Sequence, residues 1–513
     1  MEWATFRNLF GGIVSIHKPY HYDLLPNVDD ESYQLPADGN ASIAQRRFSL
    51  RRNPFAFLAR IFFSAAFRRS SLVFLLVVTC VIGWLVPPSY SDVRNFEQHL
   101  PQHQIPTDSI GDRRYLRFEG TLWGLGLNNI LQEELLLSYI AYATNRSFVF
   151  SDYTWSHTPL PFTIDDYSLR PARMPLNAFI SGPTAGGPIS ASHNQHTLEL
   201  PVDPHARIDT DLRAVHLVYF DAVCPQSKRV QLISADVPRL GDDTLDGNEL
   251  LATWVDWLSR DEVVNEPCVV VDFSERAVFD HLLFGSPRVI SMFPILASSP
   301  ILKEFAWSYL VEAAVERNMN GLINPVSSSS PNLMSGVVAV HLRRGDYSGH
   351  CLYLSKHGTA YQGMNQYPGI VDRFDPIGFD PSAPPPDNDS YHHYLPHCLP
   401  TIPEIVERLN VVRTENPHLS LTKVYLLSNG RRWWLDELWA ELRADGWEPV
   451  REGLGSSQDL TLTREEQYVS GAVDMAIAEK AEVFVGNGFS SLTGNIVMLR
   501  LAKGVDVGLN RML

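Results

Sequence analysis

The chain has 513 residues, 45% of them hydrophobic, enough to bury at least two cores, so two domains with accessory segments are expected. A formal charge of −16 and an isoelectric point near 5.5 exclude nucleic acid as a partner, because the average surface repels a phosphate backbone. Any phosphate site must then be a local basic pocket.

Residues 1–45 mix Pro, Gly, Asn and acids without periodicity, as a disordered tail does. Arg46, Arg47, Arg51, Arg52, Arg60, Arg68 and Arg69 follow with no acid among them. Next comes Ser70 to Val86, SSLVFLLVVTCVIGWLV, the one uncharged apolar run of spanning length, reaching about 25 Å at a helical rise of about 1.5 Å per residue. Asp92 and Glu97 stand after it, so the positive-inside rule predicts a cytosolic N-terminus and a luminal remainder. The run begins too far from residue 1 for a cleaved signal peptide. Residues 1–69 therefore read as a cytosolic tail with a basic end, 70–86 as a transmembrane signal anchor that attaches the chain to the membrane, and 87–107 as a luminal stem.

Cysteine usage agrees. Cys80 lies in the span, leaving Cys224, Cys268, Cys351 and Cys398, an even set that fits two disulfides in an oxidising secretory compartment. Four cysteines allow three pairings, of which the sequential one, Cys224 with Cys268 and Cys351 with Cys398, is favoured. Of the two glycosylation sequons, Asn145-Arg-Ser sits between a helix and a strand, and Asn388-Asp-Ser, in a Pro-rich loop, is expected to be the accessible one.

A first folded domain is expected over 108–326. Leu127 to Thr144 predicts a helix with a broad apolar face, and Phe148 to Phe150 the strand after it. Val269 to Val271 and Val289-Ile290 predict further buried strands, with helices at Thr253 to Leu258 and Leu302 to Val315. Gly182 to His196 reads as a Gly/Ser-rich surface loop. Ser327 to Pro331, SSSSP, is the candidate linker to a second domain over 332–513. There, strands at Val337 to Leu342, Val424 to Leu427 and Val483 to Val485 alternate with helices at 403–414, 433–444, 465–480 and 490–501, which implies a parallel doubly wound sheet with an insertion over 347–400.

Three loops carry chemistry. In Gly124-Leu125-Gly126-Leu127-Asn128-Asn129 the glycines admit close backbone approach, and Asn128 is placed to cap the following helix while offering an amide to a ligand. His341-Leu-Arg-Arg-Gly-Asp346 lies at the carboxyl end of a buried strand, where open α/β sheets bind ligands, and forked guanidinium groups suit phosphate. Strand alternation sends His341 and Arg343 to one face, so Arg343 is the candidate catalytic cation for a leaving diphosphate, while Arg344 is expected to hold the loop through Asp346. In Val483-Phe-Val-Gly-Asn-Gly-Phe-Ser490-Ser491-Leu-Thr493 the serines and the N–H groups behind them form a diphosphate cradle, with plain serine N-capping as the competing account. Asp474, on the preceding helix, is placed either to reach a nucleoside or to be solvated. Asp209-Thr-Asp211 and Asp387-Asn-Asp389 resemble a divalent-cation motif, but Asp387 lies in a Pro-rich loop and Asp209 follows no buried strand, so no metal is expected.

Together, GLGLNN at 124–129, HLRRGD at 341–346 and FVGNGFSSLTGNI at 484–496, preceded by AVDMAI at 472–477, resemble the signature of the GDP-fucose protein O-fucosyltransferase superfamily. The resemblance implies a GT-B fold, two Rossmann-like doubly wound domains facing a central cleft, with GDP-fucose as donor, inversion at the anomeric carbon and no metal or other cofactor. Carried onto this chain, Arg343 stabilises the leaving diphosphate, His341 and Asp474 help hold the GDP, and Ser490 and Ser491 bind its phosphates. Asn128 sits near donor and acceptor, and Gly126, Asn129 and Arg344 complete the substrate-binding set. Cys351 and Cys398 resemble the family's paired cysteines. Where some members place a glutamate inside the Gly-rich turn this chain has Leu125, and nothing aims Glu133 or Glu134 at the site, so the general base is unassigned. Asn429 stands where many relatives have Asp. The expectation is a single-pass type II enzyme of the Golgi or endoplasmic reticulum that moves fucose to a hydroxyl of a protein or glycan. The alternatives are another donor such as GDP-mannose, or a catalytically silent lectin-like or scaffolding relative.

Overall fold

In the computed structural model, which describes residues 86–104, 113–120, 126–165, 168–188, 213–242, 244–278, 285–322, 333–345 and 347–513, the β-branched runs become the central strands of two parallel sheets. Residues 88–157 with 171–513 form one compact unit, which carries both sheets. The first sheet comprises β1 (Tyr115–Glu119), β2 (Ser147–Phe150), β3 (Val215–His216), β4 (Val230–Ile233) and β5 (Cys268–Asp272), in the order β3-β2-β1-β5-β4 with every pairing parallel. Between β1 and β2 runs α1 (Leu127–Ala143), apolar almost all round and accordingly buried. Later, α2 (Gly247–Leu258) starts at a capping box in which Asp246 and Glu249 exchange side-chain and backbone bonds.

The second sheet comprises β6 (Met334–Leu342), β7 (Lys423–Ser428), β8 (Glu448–Pro449), β9 (Ala481–Gly486) and β10 (Asn510–Met512), all parallel in the order β8-β7-β6-β9-β10. Its helices are α3 (Tyr347–Lys356) in the insertion, then α4 (Ile402–Glu415), α5 (Arg432–Ala444), α6 (Ser470–Lys480) and α7 (Ser491–Ala502). The period-two pattern of β6 splits its two faces: Val338, Val340 and Leu342 pack with Leu409 of α4 and Leu438 of α5, while Val337 and Ala339 join the core that holds Ile477 of α6 and Ile496 of α7. Helices therefore cover both faces, as doubly wound parallel sheets require. The strand order reverses direction between β6 and β9, the switch point where such sheets bind ligands.

Several expectations need correction. Val289-Ile290 begins a helix, Val289–Ser298, rather than a strand, because the buried Val289, Met292, Phe293 and Leu296 recur at helical spacing. The helix expected over 302–315 is broken into Pro300–Lys303 and Tyr309–Met319, since Ser308 Oγ accepts the Val311 N–H at 3.2 Å and starts a new one. Residues 182–186 are buried rather than at the surface, with Gln102 Nε2 donating to the Gly186 carbonyl at 3.0 Å. Asn388 is not the accessible sequon: it is 1% exposed, its Nδ2 donates to the Asp380 carbonyl at 2.7 Å, and its Oδ1 caps the helix Asp389–Cys398. Asn145, in a left-handed turn at φ 53°, is the more exposed of the two. The apolar run 70–86 lies outside the described residues save for Val86, and the 327–331 linker, Asp209, Asp211 and Asp346 lie outside them altogether. Among the described residues no helix is long and apolar enough to cross a membrane.

Both disulfides join the sequential pairs, Cys224 with Cys268 and Cys351 with Cys398. The second closes the insertion across a sequence separation of 47 residues. Replacing Cys351 and Cys398 by alanine should lower stability by about 3–4 kcal/mol, the chain-entropy value for a loop of this size, read as a lower urea midpoint. An unchanged midpoint would mean that the insertion's own contacts hold it.

Candidate functional site

At the switch point the ends of β6 and β9 stand side by side. His341, on β6, is buried with Nδ1 2.9 Å from Thr493 Oγ1 in the first turn of α7. Burial, and then the charge of Arg343, push its pKa down to about 3, so the imidazole is a neutral tie between strand and helix. Helix α7 comes this close because β9 ends in glycine: a Cβ on Gly486 would lie 2.1 Å from Thr493 Cγ2. At the β6 end, Gly345 makes the turn at φ 66°, a conformation that favours glycine.

The two adjacent arginines diverge. Arg343 lies with its guanidinium carbon 4.9 Å from the centre of the Tyr347 ring, and the Tyr347 hydroxyl donates to the Phe489 carbonyl at 3.2 Å, which fixes that ring to the turn after β9. Arg344 is taken up by structure: Nη2 donates to the Pro400 carbonyl at 2.5 Å, and the guanidinium carbon sits 4.1 Å over Trp434. Asn429 clamps the same loop with its whole amide, Oδ1 accepting the Arg344 N–H at 2.8 Å and Nδ2 donating to the Arg344 carbonyl at 3.0 Å. An aspartate at 429 can make only the first of these bonds.

Ser490 is the N-cap residue of α7, yet no side-chain hydrogen bond caps this helix among the described residues. The first-turn N–H groups, which a helix leaves without intrahelical acceptors, therefore stand beside Ser490 and Ser491 in the arrangement that binds anions. The turn is braced from the insertion, where Gln362 N–H and Asn365 Nδ2 both donate to the Gly488 carbonyl at 2.9 Å.

On the first sheet's side, Gly126 is the N-cap residue of α1, with an ordinary φ of −60° and nothing within 4 Å of where a Cβ would be. Asn128 does not cap the helix: its carbonyl and its Oδ1 accept from Asn495 Nδ2 at 3.0 and 3.2 Å, and Gln132 Nε2 donates to the Ser491 carbonyl at 3.4 Å. Helices α1 and α7 thus run antiparallel, with Asn129 in the first turn of α1. Asp474 faces β7 instead, where Tyr425 Oη donates to its Oδ1 at 2.7 Å. Burial raises its pKa to about 6 against the opposing hydrogen bonds from Tyr425 and Ser457. The structure therefore brings His341, Arg343, Ser490, Ser491 and Asn128 around one sheet edge, and places Arg344 and Asp474 in supporting contacts. Thr493, Asn495, Tyr347 and Asn365 were not singled out. Thr493 and Asn495 fall within the third motif, Thr493 three residues from Ser490, whereas Asn365 lies in an insertion without periodicity.

Glu97, Asp152 and His216 bring three ligand atoms together near the end of β3, with His216 Nε2 3.9 Å from Glu97 and 4.0 Å from Asp152. They do not suit a metal. His216 Nδ1 accepts the Val218 N–H at 3.2 Å, so the neutral ring carries its proton on the Nε2 that faces the carboxylates, and Arg94 already pairs with Asp152 at 2.7 Å.

In structural comparison the chain is similar, at low sequence identity, to several solved fucosyltransferases. No protein-family model matches it, and no curated protein sequence matches it either. It is similar to POFUT1 in complex with GDP-fucose at 13% identity and a TM-score of 0.46, over 78% of this chain and 98% of that one. It is similar to an Arabidopsis thaliana FUT1 mutant in complex with GDP at 11% identity and a TM-score of 0.33, over 81% and 78%. For NodZ alpha-1,6-fucosyltransferase soaked with GDP-fucose the values are 13% and 0.30, over 76% and 92%.

On α1, burial raises Glu133 to about 7, and burial with the Glu133 charge raises Glu134 to about 8. A carboxyl whose folded pKa lies above its unfolded value near 4.5 stabilises the fold fully below that value and loses the contribution as pH rises through about 8. Stability should therefore fall between about pH 5 and pH 8, and Glu134→Gln should flatten the slope by about 3–4 kcal/mol, measured by urea titration at both ends. A slope unchanged by the substitution would show an ionised, solvated Glu134.

Proposed function

We propose that this chain transfers fucose from GDP-fucose to a hydroxyl of a protein or glycan, with inversion and without a metal, from two Rossmann-like lobes in the GT-B arrangement. The observation that carries the reading is the meeting, at the β6–β9 switch point, of Arg343 with the side-chain-uncapped first turn of α7 behind Ser490 and Ser491. A guanidinium and a helix N-terminus at one sheet edge suit a diphosphate that gains negative charge as it leaves. In this reading the acceptor oxygen attacks the anomeric carbon, the bond to the β-phosphate oxygen breaks, and its electron pair leaves with GDP. Arg343 and the α7 amides take up the developing charge, and the acceptor proton passes to the departing diphosphate. His341 holds β6 and α7 in register, and Arg344 and Asn429 hold the loop that presents Arg343. We place the folded part, lobes 108–326 and 332–513, in the lumen of the Golgi or endoplasmic reticulum behind a membrane anchor at 70–86.

The test is GDP release by the full chain from GDP-fucose, with GDP-mannose as competitor donor. Arg343→Ala should lower turnover about 10²- to 10³-fold at unchanged stability, whereas Arg344→Ala should lower the unfolding midpoint. Turnover should be unaffected by a chelator. Equal use of GDP-mannose would overturn the donor, and loss of activity in chelator the metal-free mechanism.

A further inference from the structure

A cavity of about 560 Å³ opens at the carboxyl edge of the first sheet, lined by residues that follow β1 and β2 and by Ile130, Glu134 and Leu137 of α1. Its size falls within the range of small-ligand pockets, about 300–1,000 Å³. The α1 face that lines it, at positions 130, 134 and 137, is opposite the face that carries Asn128 and Gln132 against α7. One helix, about 10 Å across, therefore separates the cavity from the first turn of α7.

The lining has a definite chemical character. Two of its three arginines are paired with carboxylates, Arg94 with Asp152 at 2.7 Å and Arg117 with Glu119 at 3.4 Å, and Arg173 stands exposed at the rim. Burial holds His216 toward its neutral form. The interior of the cavity thus carries little net charge to recruit an anion, since the one further arginine is at the solvent-exposed rim, and an anion seated beside Asp152 would have to break the Arg94 pair. Two oxygens remain in want of donors: Glu134 Oε2 and Asp152 Oδ1 are buried and have no hydrogen-bond partner among the described residues. A buried polar atom left so costs about 1–3 kcal/mol, which a ligand rich in hydroxyl donors would recover. Phe118 and Phe273 supply apolar walls for the C–H face of a ring. A peptide is poorly matched, because β3, the edge strand on the cavity side of this sheet, is two residues long, too short for strand addition.

We propose that this cavity is an acceptor subsite for a neutral sugar ring of an oligosaccharide, with Glu134 and Asp152 accepting or exchanging hydrogen bonds with its hydroxyls. The proposal rests on the fucosyl-transfer reading above and narrows its acceptor to a neutral glycan, with this ring one or two units from the hydroxyl that receives fucose. Burial keeps Glu134 protonated at neutral pH, which lets it donate as well as accept.

The test takes the full chain to a printed array of neutral oligosaccharides, sialylated oligosaccharides and Ser/Thr peptides, with GDP affinity measured in parallel. The expected result is binding to neutral oligosaccharides that weakens about tenfold in Glu134→Leu and in Asp152→Asn, stays within about threefold in Glu134→Gln, and leaves GDP affinity unchanged throughout. Binding confined to peptides or to sialylated glycans would overturn the proposal, as would undiminished neutral-glycan binding in both weakening variants. GDP binding without any glycan binding would remove the subsite alone; neutral-glycan binding without GDP binding would keep it and remove the donor reading.

Discussion

The hydrogen bond between His341 and Thr493 is the constraint on which the rest of the site depends, because it joins the last buried turn of β6 to the first turn of α7. Both partners are buried, so breaking it would strand a ring nitrogen at about 1–3 kcal/mol. Because the ring stays neutral, the joint does not titrate across the physiological range. Its geometry also dictates neighbours that have no chemistry of their own. Gly486 must lack a side chain for Thr493 to approach, and Gly345 must turn the chain in a left-handed conformation immediately after the arginines.

Adjacent arginines in a chain of charge −16 look redundant on paper, and the structure gives them different work. The Arg344 guanidinium is satisfied by a carbonyl and an indole face, and its backbone by the Asn429 amide. Arg343 is held at the ring of Tyr347, which is itself anchored to the turn that begins α7. One cation is thus built into the wall and its neighbour is held at the sheet edge, where the proposed reading seats a phosphate, a local basic site on an acidic protein.

The parallel second sheet was legible because its strands are unbroken Val/Leu runs of period two, and Val337 to Leu342 does split between two cores as alternation predicts. The sequential disulfides, one of the three pairings that four cysteines allow, are present. Short or polar strands were not legible: Tyr115–Glu119 carries Arg117 and Glu119, and Val215–His216 is two residues long, so neither has a hydrophobic pattern to read. Asn128 was read as a cap because local spacing favours one, but a partner in a distant helix, Asn495, competes for its oxygen. Asn388 was read as accessible from its Pro-rich surroundings, and its side chain is instead what ties that loop together. In each case the deciding contact lies far along the chain or within an aperiodic loop, where neither period nor propensity speaks.

The insertion between β6 and α4 reaches back to the phosphate-cradle turn through Gln362 and Asn365, whose N–H groups meet on one carbonyl, that of Gly488. A segment that looks like an interchangeable surface decoration is therefore the back wall of the turn before α7, the donor side in the proposed reading. Grafting a different excursion onto this scaffold to alter acceptor choice would also shift the position of the α7 first turn. Under the proposed transfer, engineers of such a chimera would find acceptor selectivity and donor affinity moving together, coupled through a single peptide oxygen.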